Sequence, residues 1–152
     1  MGVYTRFKQK GAEGFRALIE LMESTPVSRR QKMIDVGNAE DPLYTEEALR
    51  YVITFQDVLD MNEMELAELL SDVPAQVVAA AIAPLKEEVK LRFFKCLRGG
   101  ALADVRLFLE SQISLAQTGG AQLKMVASVR KMEKRGLFPK KAVPRELPLS
   151  LK

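Results

Sequence analysis

An amphipathic pattern begins the clearest part of this sequence at residues 55–70, FQDVLDMNEMELAELL. Leu66, Leu69 and Leu70 recur at the spacing of one helix face, and Glu63 and Glu65 fall on the other faces. Similar segments, separated by short breakers, continue to residue 136. Helices of two to four turns are marginal alone in water, so their apolar stripes must be stabilised by packing together. The pattern therefore predicts an all-α packing module.

The same periodicity divides the chain into four parts, which are residues 1–10, 11–54, 55–138 and 139–152. The first part is basic and without pattern, and we expect a flexible arm. The second contains short helical stripes connected by few residues, which is typical of an armadillo-like helix set. The third predicts a small helical bundle. The fourth contains three prolines and predicts an extended tail. No stretch alternates with period two, so no strand is predicted.

Glycines mark the expected helix ends. Ser28 is expected to cap a short helix that ends at Gly37, and Gly99 with Gly100 ends a later one. The next stripe is expected to face the core, and it consists of Leu102, Val105, Leu109 and Ile113. A second glycine pair, Gly119-Gly120, is expected to separate it from a last helix over residues 121–134. We expect the methionines and valine of this last helix to be core residues.

Composition excludes most catalytic chemistry. The chain has no histidine, so it lacks the usual general base and the commonest metal ligand, and Cys–His or Ser–His pairs are impossible. The single cysteine, Cys96, lies in an apolar run and is expected to be a buried, inert thiol. We therefore expect no enzyme, no cofactor and no metal site.

Charge and hydropathy give further expectations about partners. The net charge is +3 from 23 basic and 20 acidic residues, which are well mixed. No basic cluster is interleaved with aromatic residues, so nucleic acid is not an expected partner. No apolar run reaches the length of a transmembrane helix and no signal peptide is visible, so we expect a soluble, intracellular protein, at most peripheral to a membrane.

The order of these segments resembles the last third of the flagellar motor switch protein FliG family. The start of that family's carboxy-terminal domain is similar to residues 55–73, FQDVLDMNEMELAELLSDV. The resemblance spans about residues 11 to 138. Its other segments are residues 14–22 (GFRALIELM), 89–93 (VKLRF), 101–110 (ALADVRLFLE), 121–122 (AQ) and 129–136 (VRKMEKRG).

The resemblance implies an armadillo-like helix set followed by a helical bundle. In the family, one helix of that bundle presents charged residues to the membrane-embedded stator. The family also implies a place in the cytoplasmic ring of the rotor, with subunits stacked on one another and bound to a second switch protein. Its implied partners are thus other rotor proteins, a second copy of the chain, or the stator.

Several family positions are altered here. The charged positions of the family are occupied by Ala83, Gly100, Leu107 and Phe108. Arg106 and Glu110 match charged family positions, and Asp104 adds an acid. The family's hinge motif corresponds to residues 52–55 and keeps only the last aromatic. These hinge-like residues are Val52, Ile53, Thr54 and Phe55.

The altered helix predicts an interaction surface with less charge than the family's. On a helical wheel Leu107 falls nearly opposite the stripe that contains Val105, so we expect Leu107 to be exposed, either within a docking site or as an isolated surface leucine. We expect Phe108 to be buried at the edge of the stripe. The expected contact residues are Asp104, Arg106, Leu107, Phe108 and Glu110.

Self-association is a further expectation from the resemblance. In the family, the linking helices of one subunit pack on the armadillo-like helices of its neighbour, as in domain swapping. Here the corresponding residues are Phe15, Leu18, Ile19 and Met22, packing on Leu66, Leu69 and Val77, either within the chain or between chains.

Two interpretations of function are open on the sequence alone. The first is a FliG-like structural protein of the flagellar rotor, or an adaptor associated with it, at the cytoplasmic face of the inner membrane. The alternative is a helical protein–protein interaction module unrelated to motility.

Overall fold

The computed structural model describes residues 2 and 4–152, and in this part of the chain all regular structure is helical. The all-α prediction is confirmed. The helices are α1 (Thr5–Gln9), α2 (Gly11–Ser24), α3 (Val27–Glu40), α4 (Pro42–Leu49), α5 (Phe55–Leu59), α6 (Glu63–Leu70), α7 (Ala75–Ile82), α8 (Glu87–Cys96), α9 (Gly100–Leu109) and α10 (Leu115–Lys134). Two single turns of 3₁₀ helix follow at Pro139–Lys141 and Leu149–Leu151.

The chain folds into two compact units. Unit 1 contains the residues up to Ile53 together with Pro139–Lys152, and unit 2 is Thr54–Phe138. The first junction therefore lies next to the boundary that the sequence placed after residue 54. The segment after residue 138 was expected to be a separate extended tail, but it belongs to unit 1.

Unit 1 is built around an aromatic core. The stripe on α2 is buried as predicted, with Phe15, Leu18, Ile19 and Met22 at most 1% exposed. The Phe15 ring meets Tyr44 edge-on at a centroid distance of 5.6 Å and Tyr51 at 5.8 Å. Such edge-to-face geometry is the favourable arrangement for aromatic pairs.

The expectation of a flexible basic arm at residues 1–10 is wrong for the residues that the structure describes. Residues 5–9 form α1, and Tyr4 is only 2% exposed. The Tyr4 hydroxyl donates to the Met33 carbonyl oxygen at 2.7 Å, which connects the first turn to α3. A tertiary contact therefore orders a segment that has no amphipathic pattern of its own. Residues 1 and 3 lie outside the described residues.

Gly37 does not end α3. The helix continues to Glu40, and Gly37 is buried inside it. A Cβ atom at this position would meet the Tyr4 ring at 2.3 Å and the Thr45 hydroxyl at 2.5 Å. The glycine is thus needed for close packing of neighbouring residues, and it does not act as a helix stop. Ser28 likewise makes no capping bond, since α3 already begins at Val27.

Unit 2 is an aliphatic bundle in which α7 and α10 are central. Helix α10 packs on α5, α6 and α7, and α7 also packs on α9. Leu66, Leu69 and Phe93 are at most 1% exposed, and Cys96 is buried at 8%. The Arg92 guanidinium donates to the carbonyl oxygens of Leu59 and Met61 at 2.8 and 2.6 Å, which holds α8 against the turn between α5 and α6.

The glycine pair Gly119-Gly120 does not separate two helices, as the sequence predicted. Both residues lie within α10, which starts at Leu115. Ser114 caps the helix: its hydroxyl accepts from the Gln117 N–H at 3.1 Å, and the Gln117 side chain accepts from the Ser114 N–H at 2.8 Å. This capping box begins the helix five residues before the glycines, and two interior glycines cost only about 1 kcal/mol each.

Candidate interaction surface

Helix α9 carries the predicted contact residues on one short, well-defined element. It begins after a tight reversal at Gly99, whose φ of +57° and ψ of −134° suit glycine alone. Asp104, Arg106, Leu107 and Phe108 lie on the helix, and Glu110 is the residue at its C-terminal end. The structure therefore places all five predicted contact residues within two turns of each other.

One buried residue fixes the orientation of α9. Val105 is fully buried, and the helix packs on α7. Leu102 and Leu109, one turn before and after Val105, are half-buried. Because the inner face is narrow, most of the side chains between positions 103 and 110 are exposed to solvent.

The apolar pair on the outer face is more exposed than the sequence predicted. Leu107 is 65% exposed, as expected, but Phe108 is 36% exposed and was expected to be buried. The error arises from the assumed length of the stripe, because α9 ends at Leu109 and Ile113 lies outside it. Without a continuous stripe from 102 to 113, the edge position of Phe108 has no neighbouring element to cover it.

The charged residues around this pair are available for contacts. The Arg106 guanidinium lies 5.2 Å from the centroid of the Phe94 ring on α8, a cation–π contact that contributes about 0.5–1 kcal/mol at an exposed site. Asp104 and Glu110 are exposed and make no side-chain hydrogen bond or ion pair with the described residues. The outer face of α9 thus presents two apolar side chains between free carboxylates and a positioned cation.

Such a surface is suited to binding. Among residues 2 and 4–152, no three carboxylates and thiols come together in a way that could hold a metal ion. The one thiol, Cys96, is directed at the Glu63 carbonyl oxygen at 3.8 Å, and burial raises its pKa, which keeps it protonated.

Ala83 and Gly100 are the two other positions at which the family has a charged residue and this chain does not. Ala83 is the half-buried residue that ends α7, and Gly100 is the exposed first residue of α9. Neither supplies a side chain that could replace a charge. The altered positions therefore leave Asp104, Arg106 and Glu110 as the charged groups of the α9 face.

The hinge-like residues lie where the chain passes from unit 1 to unit 2. Val52 and Ile53 are buried, and the Ile53 N–H donates to the Glu23 carboxylate at 2.7 Å. Thr54 begins α5, and its N–H donates to the Asp57 carboxylate at 2.9 Å. Phe55, the first helical residue, is half-buried. Each side of the junction is thus held by its own unit.

The expected self-association set is not a free surface. Phe15, Leu18, Ile19 and Met22 form the core of unit 1 together with Tyr44 and Val52. In unit 2, Leu66 and Leu69 are at most 1% exposed, and Val77 is half-buried. The α2 residues are already buried in the core of unit 1. A swapped interface through them would therefore require unit 1 to open.

The sequence did not lead us to predict two features of the structure, one in each unit. The first is the ring of Phe94 beneath Arg106, whose signal was an aromatic residue one position after the buried Phe93. The second is the packing of residues 139–152 on unit 1, whose signal was the recurrence of Val143, Leu147 and Leu151 at every fourth position.

Among the described helices, none is both long and apolar enough to cross a membrane.

Known proteins are similar to this chain in sequence. Flagellar motor switch protein FliG of Thermotoga maritima is 25% identical over 125 residues, which are 81% of this chain and 37% of that protein. The protein of the same name from Aquifex aeolicus is 26% identical over 125 residues, 79% of this chain and 37% of that protein. The chain therefore spans less than two fifths of the length of these relatives.

The fold is also found in a solved structure. Full-length FliG from Aquifex aeolicus superposes with a TM-score of 0.52 at 22% identity, covering 81% of this chain and 39% of that one. The family model described as FliG C-terminal domain matches residues 38–138. The resemblance seen in the sequence is confirmed. Since that model covers about two thirds of the residues, this chain belongs to the FliG C-terminal domain family.

Proposed function

We propose that this chain is a structural component of the flagellar motor rotor, or an adaptor associated with the rotor, that works by protein–protein contact and not by catalysis. Family membership supports this function, and it does not favour a module unrelated to motility. The proposal extends to the other switch proteins as partners, and to a location in the cytoplasm beside the flagellar basal body.

The outer face of α9 is the observation that supports contact with another protein. It combines the exposed pair Leu107 and Phe108 with the free carboxylates of Asp104 and Glu110. Exposed ion pairs contribute only about 0–1 kcal/mol each, so three charges alone hold a partner weakly. Burying a large apolar side chain contributes about 1.5–3 kcal/mol. The apolar pair therefore supplies most of the affinity, and the charges orient the partner.

This balance differs from that of a contact made mainly of charges. A torque-bearing contact must form and release repeatedly, which suits several weak charge pairs. An apolar centre favours a longer-lived contact, because most differences in affinity appear in the dissociation rate. We therefore expect α9 to dock the chain on a rotor protein, and not to receive torque directly.

The test compares two exposed apolar positions in the motile host. Leu107→Glu with Phe108→Glu disrupts the α9 face, and Leu91→Glu on α8, a position that is 51% exposed, serves as the matched control. A fluorescent fusion of the wild-type chain and of the control is expected at flagellar bases, whereas the double variant is expected to be dispersed at equal abundance. A wild-type fusion that never locates at flagellar bases, with motility intact after gene deletion, would contradict the proposed function.

A second pair of substitutions separates docking from torque. Arg106→Glu with Glu110→Arg reverses two charges while keeping the apolar pair. A docking role predicts that cells with this variant swim and assemble flagella nearly as the wild type does. Paralysed cells with a normal number of flagella would instead show that α9 bears torque.

A further inference from the structure

Unit 2 has an open cleft of about 470 Å³ where α6, the end of α8 and the first turn of α9 meet. Most of its wall is apolar and consists of Met64, Ala67, Leu70, Val73, Leu97 and Ala101. Two charged residues, Glu68 and Arg98, also line it. Glu68 is paired with Arg135 at 3.5 Å, whereas the exposed Arg98 side chain makes no hydrogen bond or ion pair with the described residues. The cleft thus offers an apolar wall beside one unpaired cation.

The other end of α9 carries the complementary groups. Phe108 is 36% exposed, and the Glu110 carboxylate beside it has no partner among the described residues. Phe108 lies seven residues after Ala101, which is about 10 Å along the helix axis. One copy therefore cannot fill its own cleft with its own Phe108, although a second copy can supply that ring.

Helix geometry allows the two copies to make this contact reciprocally. Seven residues return to within about 20° of the same helix face, so Ala101 and Phe108 lie nearly in line along α9. Two α9 helices that pack antiparallel about a two-fold axis near Asp104 bring each Phe108 to the other's cleft. Arg98 lies just before Ala101, so it comes close to the Glu110 of the second copy. Each contact is then made twice, as in an isologous interface.

From these observations we infer that the cleft binds Phe108 of a second copy of this chain, in a two-fold dimer held together through α9. The inference rests on the proposed function, because it takes the α9 face as the docking surface and names a second copy as its partner. The buried ring supplies most of the affinity, and the pairs between Arg98 and Glu110 set the orientation. The two Asp104 carboxylates lie near the axis, and their repulsion weakens the dimer.

The first test measures self-association of the purified full chain by analytical ultracentrifugation over a concentration series. A monomer–dimer equilibrium is expected for the wild type. Phe108→Ser is expected to weaken the dimer by about tenfold or more, because each copy loses a buried ring. The matched control is Leu91→Ser on α8, at a position that is 51% exposed, and this variant is expected to associate as the wild type does. Circular dichroism checks that both variants keep the helical fold.

The second test uses charge, and it separates this dimer from non-specific association. Glu110→Gln and Asp104→Asn each remove one negative charge from the end or the middle of α9. Glu110→Gln is expected to weaken the dimer a few-fold, and Asp104→Asn is expected to strengthen it. A change of both variants in the same direction would reflect net charge alone and would overturn the arrangement. Arg98→Glu is expected to weaken the dimer, and adding Glu110→Arg to it is expected to restore association.

The remaining outcomes separate this inference from the proposed function. A wild-type chain that stays monomeric at every concentration would overturn the inference, as would a dimer that is insensitive to Phe108→Ser. Growth beyond the dimer would contradict the two-fold arrangement. A purified monomer whose fusion still locates at flagellar bases would overturn the inference alone. A dimer with the expected variant effects, whose fusion never locates at flagellar bases, would instead contradict the proposed place in the rotor and support the contact between copies.

Discussion

The two units are stabilised in different ways. In unit 2, capping boxes begin three of the six helices, at Thr54, Asn62 and Ser114, and α7, α8 and α9 begin without a side-chain cap. In unit 1, only α4 has a side-chain cap, from Asp41, and α1, α2 and α3 begin without one. Helices without caps leave their first N–H groups to other partners, so they depend more on tertiary packing.

The cores of the two units also differ. The core of unit 1 brings together segments that are far apart in the sequence, with Tyr4, Phe15, Tyr44 and Val143 in one cluster. Unit 2 is one continuous stretch, in which α10 packs on α5, α6 and α7, and α7 also packs on α9. Capping boxes thus supply local signals in unit 2, whereas aromatic contacts between distant segments define the core of unit 1. The following predictions test this difference, from the largest expected effect to the smallest.

Phe15→Ala is expected to destabilise unit 1 by about 3–5 kcal/mol, because it leaves a cavity beside two aromatic rings. Hydrogen exchange should show loss of protection in α2 and α4 with α10 unchanged. Leu21→Ala, at an exposed position of the same helix, is the control and should have a much smaller effect. Equal loss of protection in α10 would mean that the two units do not differ in the proposed way.

High pH is expected to weaken unit 1 selectively. Burial, with a smaller effect of the Asp41 carboxylate, raises the pKa of Tyr44 to about 12 from its ordinary value of 10.0. The folded tyrosine keeps its proton where the unfolded one loses it, so this contribution is complete below pH 10 and is lost as the pH rises to about 12. At pH 11 the loss is on the order of 1 kcal/mol, because the folded tyrosine is still mostly protonated there. Urea unfolding at pH 8 and pH 11 should show it.

Tyr44→Phe is the control for this pH dependence, since it removes the ionisable hydroxyl and keeps the ring. The variant should lose less stability between the two pH values than the wild type does. Tyr4 retains part of the effect, because burial raises its pKa too. An unchanged pH dependence in Tyr44→Phe would assign the alkaline loss to other groups.

Asn62→Ala is expected to cost about 1 kcal/mol, because the Asn62 side chain accepts from the Glu65 N–H at 2.8 Å and begins α6. Ser28→Ala in unit 1 is the matched substitution at a position that sequence alone marks as a cap. It should change stability by no more than a few tenths of a kcal/mol. Thermal unfolding followed by circular dichroism measures both. If Asn62→Ala and Ser28→Ala destabilised the protein equally, the two units would not differ in how much capping residues contribute to stability.

Leu107→Ser is expected to change the stability of unit 2 by less than about 0.5 kcal/mol, since the side chain is 65% exposed. Val105→Ala, two residues earlier and fully buried, should cost clearly more. Urea unfolding distinguishes the two. A large loss in Leu107→Ser would indicate that this leucine is a packing residue, and it would weaken the case for a docking surface on α9.

The comparison of the units also explains which sequence predictions succeeded. The stripes of unit 2 at Leu66, Leu69 and Met125 are buried as predicted, because an amphipathic helix in a small bundle has one face to bury. The errors occur where a contact distant in sequence overrides a local signal. Tyr4 orders the first helix, and Gly37 lies inside α3, where a bulkier residue would collide with Tyr4.

The candidate site shows the same limit. The exposure of Leu107 followed from its position on the helical wheel, since it lies opposite the only fully buried residue of α9. The exposure of Phe108 did not follow, because it depends on where the helix ends and on what lies beside it. Similarly, the apolar side chains of Val143, Leu147 and Leu151 recur at every fourth position, but this spacing does not indicate that residues 139–152 pack on unit 1.

The sequence by itself determined that the chain is helical, which helix faces are apolar, and that histidine-dependent chemistry is excluded. These properties depend on residue type and on spacings of three or four residues, which are visible in the chain alone. Only the tertiary structure decided which residues remain accessible at α9, and that residues 139–152 complete unit 1. The physical reason is that burial depends on contacts between residues up to about a hundred positions apart, such as Ser150 with Glu47, and no local pattern encodes them.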